Sequence, residues 1–215
     1  MTNRSYPGIR IKDAWLLRQN ASAHLHKLWD KKDRPLADNE HMKKKVAAYK
    51  KAWNPYEKEI IHGMCDLLEL EFRQNIIDVN IAPWFGAFSD PMVIGVIYEP
   101  NRFVEVLTHE LLHRLLSDNI QTDYGTDYPK QWKKLFGEEH SFKTLVHIPV
   151  HATLQAVFDD VLHEPERTKH DKKLCEQWPD YHAAWQYVGE NGYKEIIDQL
   201  KNSYKSWSHS TKHKK

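Results

Sequence analysis

Only two cysteines occur in the chain, Cys65 and Cys175, far apart in sequence. Two thiols so placed make neither a disulfide framework nor a cysteine-based zinc ribbon, and they suit a reducing compartment. Long apolar runs are missing as well. No stretch approaches the roughly 20 apolar residues that cross a bilayer, so no membrane partner is expected. The opening MTNRSYPGIRIKD lacks the apolar heart of a signal peptide. Together these absences point to a soluble, cytoplasmic protein. An excess of one charge is absent too: Lys+Arg is 31 and Asp+Glu is 30. No net field draws the chain to nucleic acid or to an anionic membrane. The run Lys43-Lys44-Lys45 is explained by a solvated helix face, and the basic tail KSWSHSTKHKK by a frayed end. Repeats and low-complexity linkers are likewise lacking. A monomer is expected.

Aromatic residues and histidine are plentiful, with Trp 8, Tyr 10 and His 14 in 215 residues. The aromatics argue for a packed body, and the length suits one domain with a sizeable core. Trp15, Leu16, Leu25 and Leu28 suggest an amphipathic helix from about Asp13 to Asp30, interrupted by DRPLADNEH. A lysine-rich helix runs to about Trp53. The segment NPYEKEIIHGMCDLLELEF reads as another, with Asn54 as N-cap and Pro55 at its first position. At Asn75 the character changes. NIIDVNIAPWF and PMVIGVIYEP are β-branched and read as two strands joined by GAFSD. A long helix follows, with Asn101 as its cap. Beyond the polar loop DNIQTDYGTDYPKQ come a short helix near Trp132 and SFKTLVHIPVHATLQAVFDDVL, a helical segment interrupted at Pro149. The last part, YHAAWQYVGENGYKEIIDQLKNSY, reads as two helices split at ENG. The expected fold is α+β and mostly helical. It is one domain over 1–208, with a helical part at 10–72, a core at 75–163 and C-terminal helices at 168–206. Residues 209–215 are expected to be a disordered tail.

The long helix contains VEVLTHELLHRLLSDN, and within it His109, Glu110 and His113. Residues four apart lie one above the other on a helix, so the two histidines can offer nitrogens to one metal ion. Glu110 points about 100° round from His109, within reach of a water held there. Val104, Leu107, Leu111 and Leu115 lie opposite and form a core-facing stripe. The plain alternative is a surface helix with two exposed histidines. The helical setting directly after a strand favours the metal site.

The His109-Glu110-x-x-His113 string after a strand resembles the zincin metallopeptidases. The longer FSDP…VLTHELLHRLLSDN…HIPVHA is similar to a group of small, uncharacterised microbial HExxH proteins. The likeness covers about Asn75 to Leu162. It implies a zincin-like fold with a small sheet packed beside the motif helix, a Zn2+ ion, and a peptide or protein substrate. In zincins the edge of the preceding strand pairs with extended peptide. The third ligand does not carry over. No gluzincin-like N-E-x-x-x-D string follows, and Asp118, Asn119 and Ile120 stand where a metzincin would continue.

That ligand is sought in the residues themselves. VHIPVHA offers His147 and His151, four apart on a face shared with Val150, Leu154, Val157, Phe158 and Val161. Histidines on such an apolar stripe need partners. His147, at the turn that Pro149 opens, is preferred as the ligand, with His151 in support behind it. The alternatives are His151 itself or Glu139, which would complete a His2Glu set; His140 comes after them. Asp159 and Asp160 are read as pairing with His or Arg rather than binding metal. Tyr124 and Tyr128 are candidates for polarising a carbonyl, and Ser89-Asp90-Pro91 reads as a turn. The strand from Met92 to Tyr98 is a candidate for aligning an extended peptide. The expected activity is zinc-dependent hydrolysis of peptide bonds with Glu110 as general base. The alternative is an inactive zincin-like module that binds metal or another protein. A nucleic-acid partner is not expected.

Overall fold

The computed structural model describes residues 6–19, 39–83, 85–120 and 128–210. Residues 15–19, the start of the helix expected from about Asp13 to Asp30, are helical; its remainder with Leu25 and Leu28, the loop around Tyr124, and residues 211–215 of the tail lie outside the described residues. The last helix includes residues 209 and 210, where the tail was expected to begin. The fold is α+β: mostly helical, with a four-stranded mixed sheet. Among the described residues no helix is long and apolar enough to cross a membrane. The chain forms two compact units.

One unit comprises Pro7–Glu57 and Gln74–Glu110 and holds the sheet. Its strands are β1 (Gly8–Asp13), β2 (Ile76–Ala82), β3 (Ala87–Ser89) and β4 (Met92–Gly95), in the order β1-β2-β4-β3. β2 shows why it is a strand: Ile77, Val79 and Ile81 alternate inward, at period two, and are buried. β1 corrects the expectation of a helical part from residue 10. GIRIKD is extended and pairs in parallel with β2, from Gly8 opposite Ile76 to Asp13 opposite Ile81. Charge pins that register. Asp78 sits opposite Arg10 and receives the Arg10 guanidinium at 2.5 Å and the Lys12 ammonium at 2.6 Å. These two cations hold the Asp78 carboxyl well below its usual range. The pattern is short and has one fully buried apolar residue, Ile11, so period alone does not betray it.

GAFSD is not a plain connection, since it contains β3, which pairs antiparallel with β4. β4 ends at Gly95 and is flanked on both sides, by β2 in parallel and by β3. Of the candidate peptide-aligning strand from Met92 to Tyr98, only Met92–Gly95 is strand, and it is an inner strand with its main chain engaged, while residues 96–98 form a turn. Helix α1 (Asn39–Trp53) covers the turn that follows it. Buried Tyr49 stacks on Phe103 with ring centroids 4.0 Å apart, and its hydroxyl donates to the Tyr98 carbonyl at 2.7 Å. This contact holds the turn that feeds the motif helix, α3 (Pro100–Asn119).

The other unit comprises Met1–Tyr6, Lys58–Arg73 and Leu111–Lys215 and is helical. Helix α2 (Glu57–Leu68) contributes to it from Lys58 onward. α2 begins at Glu57, not at Pro55, because Asn54-Pro55-Tyr56 forms a turn closed by the Tyr56 amide on the Trp53 carbonyl. After the end of α3 come α4 (Tyr128–Phe136), α5 (Phe142–Ala156), a π-turn (Val157–Val161), α6 (Pro165–Cys175), α7 (Pro179–Asn191) and α8 (Tyr193–Ser210). The split between the last two falls at Gly192, whose φ of 78° suits glycine.

α5 is the centre of this unit, with α7 and α8 packed on it. The Ser141 side chain caps it by accepting from the Thr144 amide. Every residue from Thr144 to Leu154 is buried, so the apolar stripe expected on one face is a helix buried all round. Pro149 does not interrupt it. Proline removes one N–H from the ladder, and the packing on every side holds the helix together. The irregularity falls later, in the π-turn.

Gly95 supplies a test. A Cβ there would overlap the Phe85 carbonyl oxygen, a backbone atom that cannot swing away. The Gly95→Ala protein is expected to lose about 2 kcal/mol or more in denaturant unfolding, whereas Gly8→Ala, with open space around the new methyl, should lose well under that.

Candidate metal centre

Helix α3 starts at Pro100, one residue before the expected Asn101 cap, with the Phe103 amide on the Glu99 carbonyl. Val104, Leu107, Leu111 and Leu115 are buried, as their spacing implies. Phe103, Thr108, Leu112 and Leu116 are buried too, so the helix is covered on more than one face. Of the motif residues, His109 and His113 are half-buried and Glu110 is buried. The division between the two units falls within α3, between Glu110 and Leu111. The helix itself is continuous.

His113 and His147 meet. Their Nε2 atoms are 3.3 Å apart and their rings stand edge to face at 84°. On the far side of its ring, His147 Nδ1 donates to the Lys143 carbonyl at 2.6 Å. A carbonyl only accepts, so the proton of a neutral His147 is on Nδ1 and the Nε2 lone pair faces His113. Two imidazole nitrogens on one tetrahedral zinc, each about 2.05 Å from the ion, lie about 3.3 Å apart. The observed spacing fits that geometry. A direct hydrogen bond, with a proton on His113 Nε2, would occupy the place a metal ion takes. His109 lies one turn earlier than His113 on the same helix.

The electrostatics suit a cation. Burial pushes His113 down to about 3, helped by the neighbouring His147, and pushes His147 down to about 4 against the lift from the Lys143 carbonyl. Both are thus neutral at pH 7, the form that binds metal. Burial also lifts the Glu110 carboxyl to about 8. His113 and His147 thus offer two neutral imidazoles, donors that suit Zn2+.

The other candidates are placed elsewhere. Glu139 has a side chain 72% exposed and pairs with His140 at 3.4 Å. Neither belongs to the histidine group. His151 lies beside His147, with ring centroids 5.5 Å apart, but stacks on Trp185 at 4.4 Å. The group that orients His147 is the Lys143 carbonyl, not His151. Asp159 accepts from the Thr168 hydroxyl and the Gln155 amide. Asp160 takes the Tyr193 hydroxyl and the Lys194 ammonium. The expected pairing of these acids with His or Arg is replaced by Thr, Gln, Tyr and Lys. Tyr124 lies outside the described residues, as does the side chain of Tyr128. Sequence reading missed the Lys143 carbonyl, a backbone group with no side-chain signature. It also missed Tyr181, whose ring packs 4.1 Å from that of His147.

The chain matches no protein-family model, no curated protein and no solved structure.

The ligand set is testable by zinc competition with a chromophoric chelator. His113→Ala and His147→Ala should each weaken one bound zinc by about 100-fold or more, and Glu139→Ala should leave it unchanged. Retention of that zinc by His147→Ala, with loss in Glu139→Ala, would replace the three-histidine set by a His2Glu one.

Proposed function

We propose that the protein is a zinc-dependent hydrolase of peptide bonds, with His109, His113 and His147 holding the ion and Glu110 as the general base. The observation that carries this reading is the 3.3 Å approach of His113 Nε2 to a His147 ring whose other nitrogen is engaged by the Lys143 carbonyl. The ion, when bound, supplies Lewis-acid polarisation of a carbonyl and acidification of water.

The remaining chemistry belongs to side chains of this chain. Glu110 follows His109 on α3 and is buried, and burial raises its proton affinity to near neutrality. Because burial lifts this carboxyl to about 8, the acid form predominates at pH 7, and it is the ionised fraction, growing as pH rises, that takes a proton from an attacking water and returns it to the leaving amine. The Lys143 carbonyl keeps the His147 ring from rotating, so its Nε2 stays on the site side. Strand addition of an extended substrate would fall to an edge of the sheet, and β4 is not one. β3, with exposed Phe88, is the edge next to it among the described strands.

The depth of Glu110, with 9% of its surface exposed, favours a second reading: a module that holds metal without turnover. One experiment separates the two. Zinc-loaded full-length protein is assayed against a mixed peptide library by mass spectrometry, beside Glu110→Gln. Hydrolysis that falls about 100- to 10,000-fold in Glu110→Gln, with zinc retained, is the expected result. A zinc-loaded wild type that cleaves nothing in the library supports the second reading instead.

A further inference from the structure

A second cluster lies wholly within the helical unit. His151, Asp171 and Cys175 are buried, with 0%, 3% and 3% of their surfaces exposed. One ligand atom from each lies within 4.8 Å of the others. Asp171 and Cys175 are four residues apart on α6, the same i, i+4 arrangement that His109 and His113 have on α3. α5 serves both groups, with His147 facing one and His151 facing the other.

We propose that His151, Asp171 and Cys175 form a second, closed metal site of the Zn2+ class, structural rather than catalytic. Three observations carry this. The donors are an imidazole, a carboxylate and a thiol, a set that selects zinc-like borderline cations over Ca2+ or Mg2+. The donors are already oriented. The Trp185 indole N–H donates to Asp171 Oδ2 at 3.2 Å, and the Trp185 ring stacks on His151 with 13° between planes. Such outer contacts hold ligands in place around an ion. Charge also balances. A divalent cation with one carboxylate, one thiolate and one neutral imidazole sums to zero, which removes most of the cost of burying any one of these charges alone.

The Cys175 thiol now lies 3.5 Å from Asp171 Oδ2. On binding, its S–H bond breaks, the proton leaves to solvent, and the sulfur lone pair forms the metal bond. No electron is transferred. Asp171 can use one oxygen or both, the second completing four-fold coordination. Burial leaves no route for substrate, which is why the site is assigned a structural role. The first group, with His109 and His113 half-buried, is the more accessible of the two. This inference does not rest on the peptidase reading.

Cobalt titration of metal-stripped full-length protein tests it, because a cobalt–thiolate bond has its own near-ultraviolet charge-transfer band. About two equivalents should bind, one of them giving that band. Cys175→Ala should lose the band and about one equivalent while keeping the other. His113→Ala should keep the band and lose the other equivalent. The second cysteine, Cys65, is buried as well, so Cys65→Ala is the control and should keep the band. Absence of the band in wild type overturns the proposal, and so does its survival in Cys175→Ala. Should Cys175→Ala fail to fold by circular dichroism, the wild-type and Cys65→Ala spectra decide: a band lost with Cys65 overturns it.

Discussion

The hydrogen bond from His147 Nδ1 to the Lys143 carbonyl is the contact on which the histidine group depends. It selects the tautomer of a ring whose burial keeps it neutral, and it turns the Nε2 lone pair toward His113. The bond is local, since Lys143 lies one helical turn before His147. Its effect is not local, because it needs α5 to stay helical through Pro149 and to remain fixed against α7. An imidazole free to turn would spend part of its time with the wrong nitrogen presented, and affinity for any ion would fall accordingly.

α5 accomplishes this by being buried on all sides. A helix of average amphipathicity exposes one face and can rock on the other. This one has neighbours around its whole girth, and its threonines are hydrogen-bonded within the packing. Thr153 bonds the Pro149 carbonyl, and Thr144 bonds Ser141 and the Asp180 carbonyl. The result is a rigid rod that presents two histidines, one turn apart, to two different neighbours. Rigid elements hold ligand geometry more closely than loops do.

In the sheet-bearing unit the corresponding constraint is the close approach of Phe85 to Gly95. It ends β4 at Gly95, and the Tyr49 hydroxyl then fastens the turn before α3. The first three turns of α3, and with them His109 and Glu110, take their position from that anchor. The Asp78 cluster with Arg10 and Lys12 aligns β1 on β2 at the sheet's other side. It is largely solvent-exposed and sets register more than it adds stability.

Much of the site was legible in the chain itself. The spacing of His109, Glu110 and His113, the buried stripe of Val104, Leu107, Leu111 and Leu115, and the pairing of His147 with His151 are all periodic features, and a helix makes period into proximity. The two strands after Asn75 and the break at Gly192 were legible for the same reason, from β-branching and turn chemistry. Other features depended on contacts between distant segments. Whether His147, His151 or Glu139 meets His113 is a matter of which helix faces pack, and no spacing encodes it. The strand character of β1 comes from its partner β2 and from Asp78, since GIRIKD alone is too short to declare itself. The continuity of α5 through Pro149 reverses a sound local rule, because burial all round outweighs one missing hydrogen bond. The meeting of His151 with Asp171 and Cys175 was hidden for the same reason: a helix period shows which residues share a face, and only the packed structure shows what that face meets.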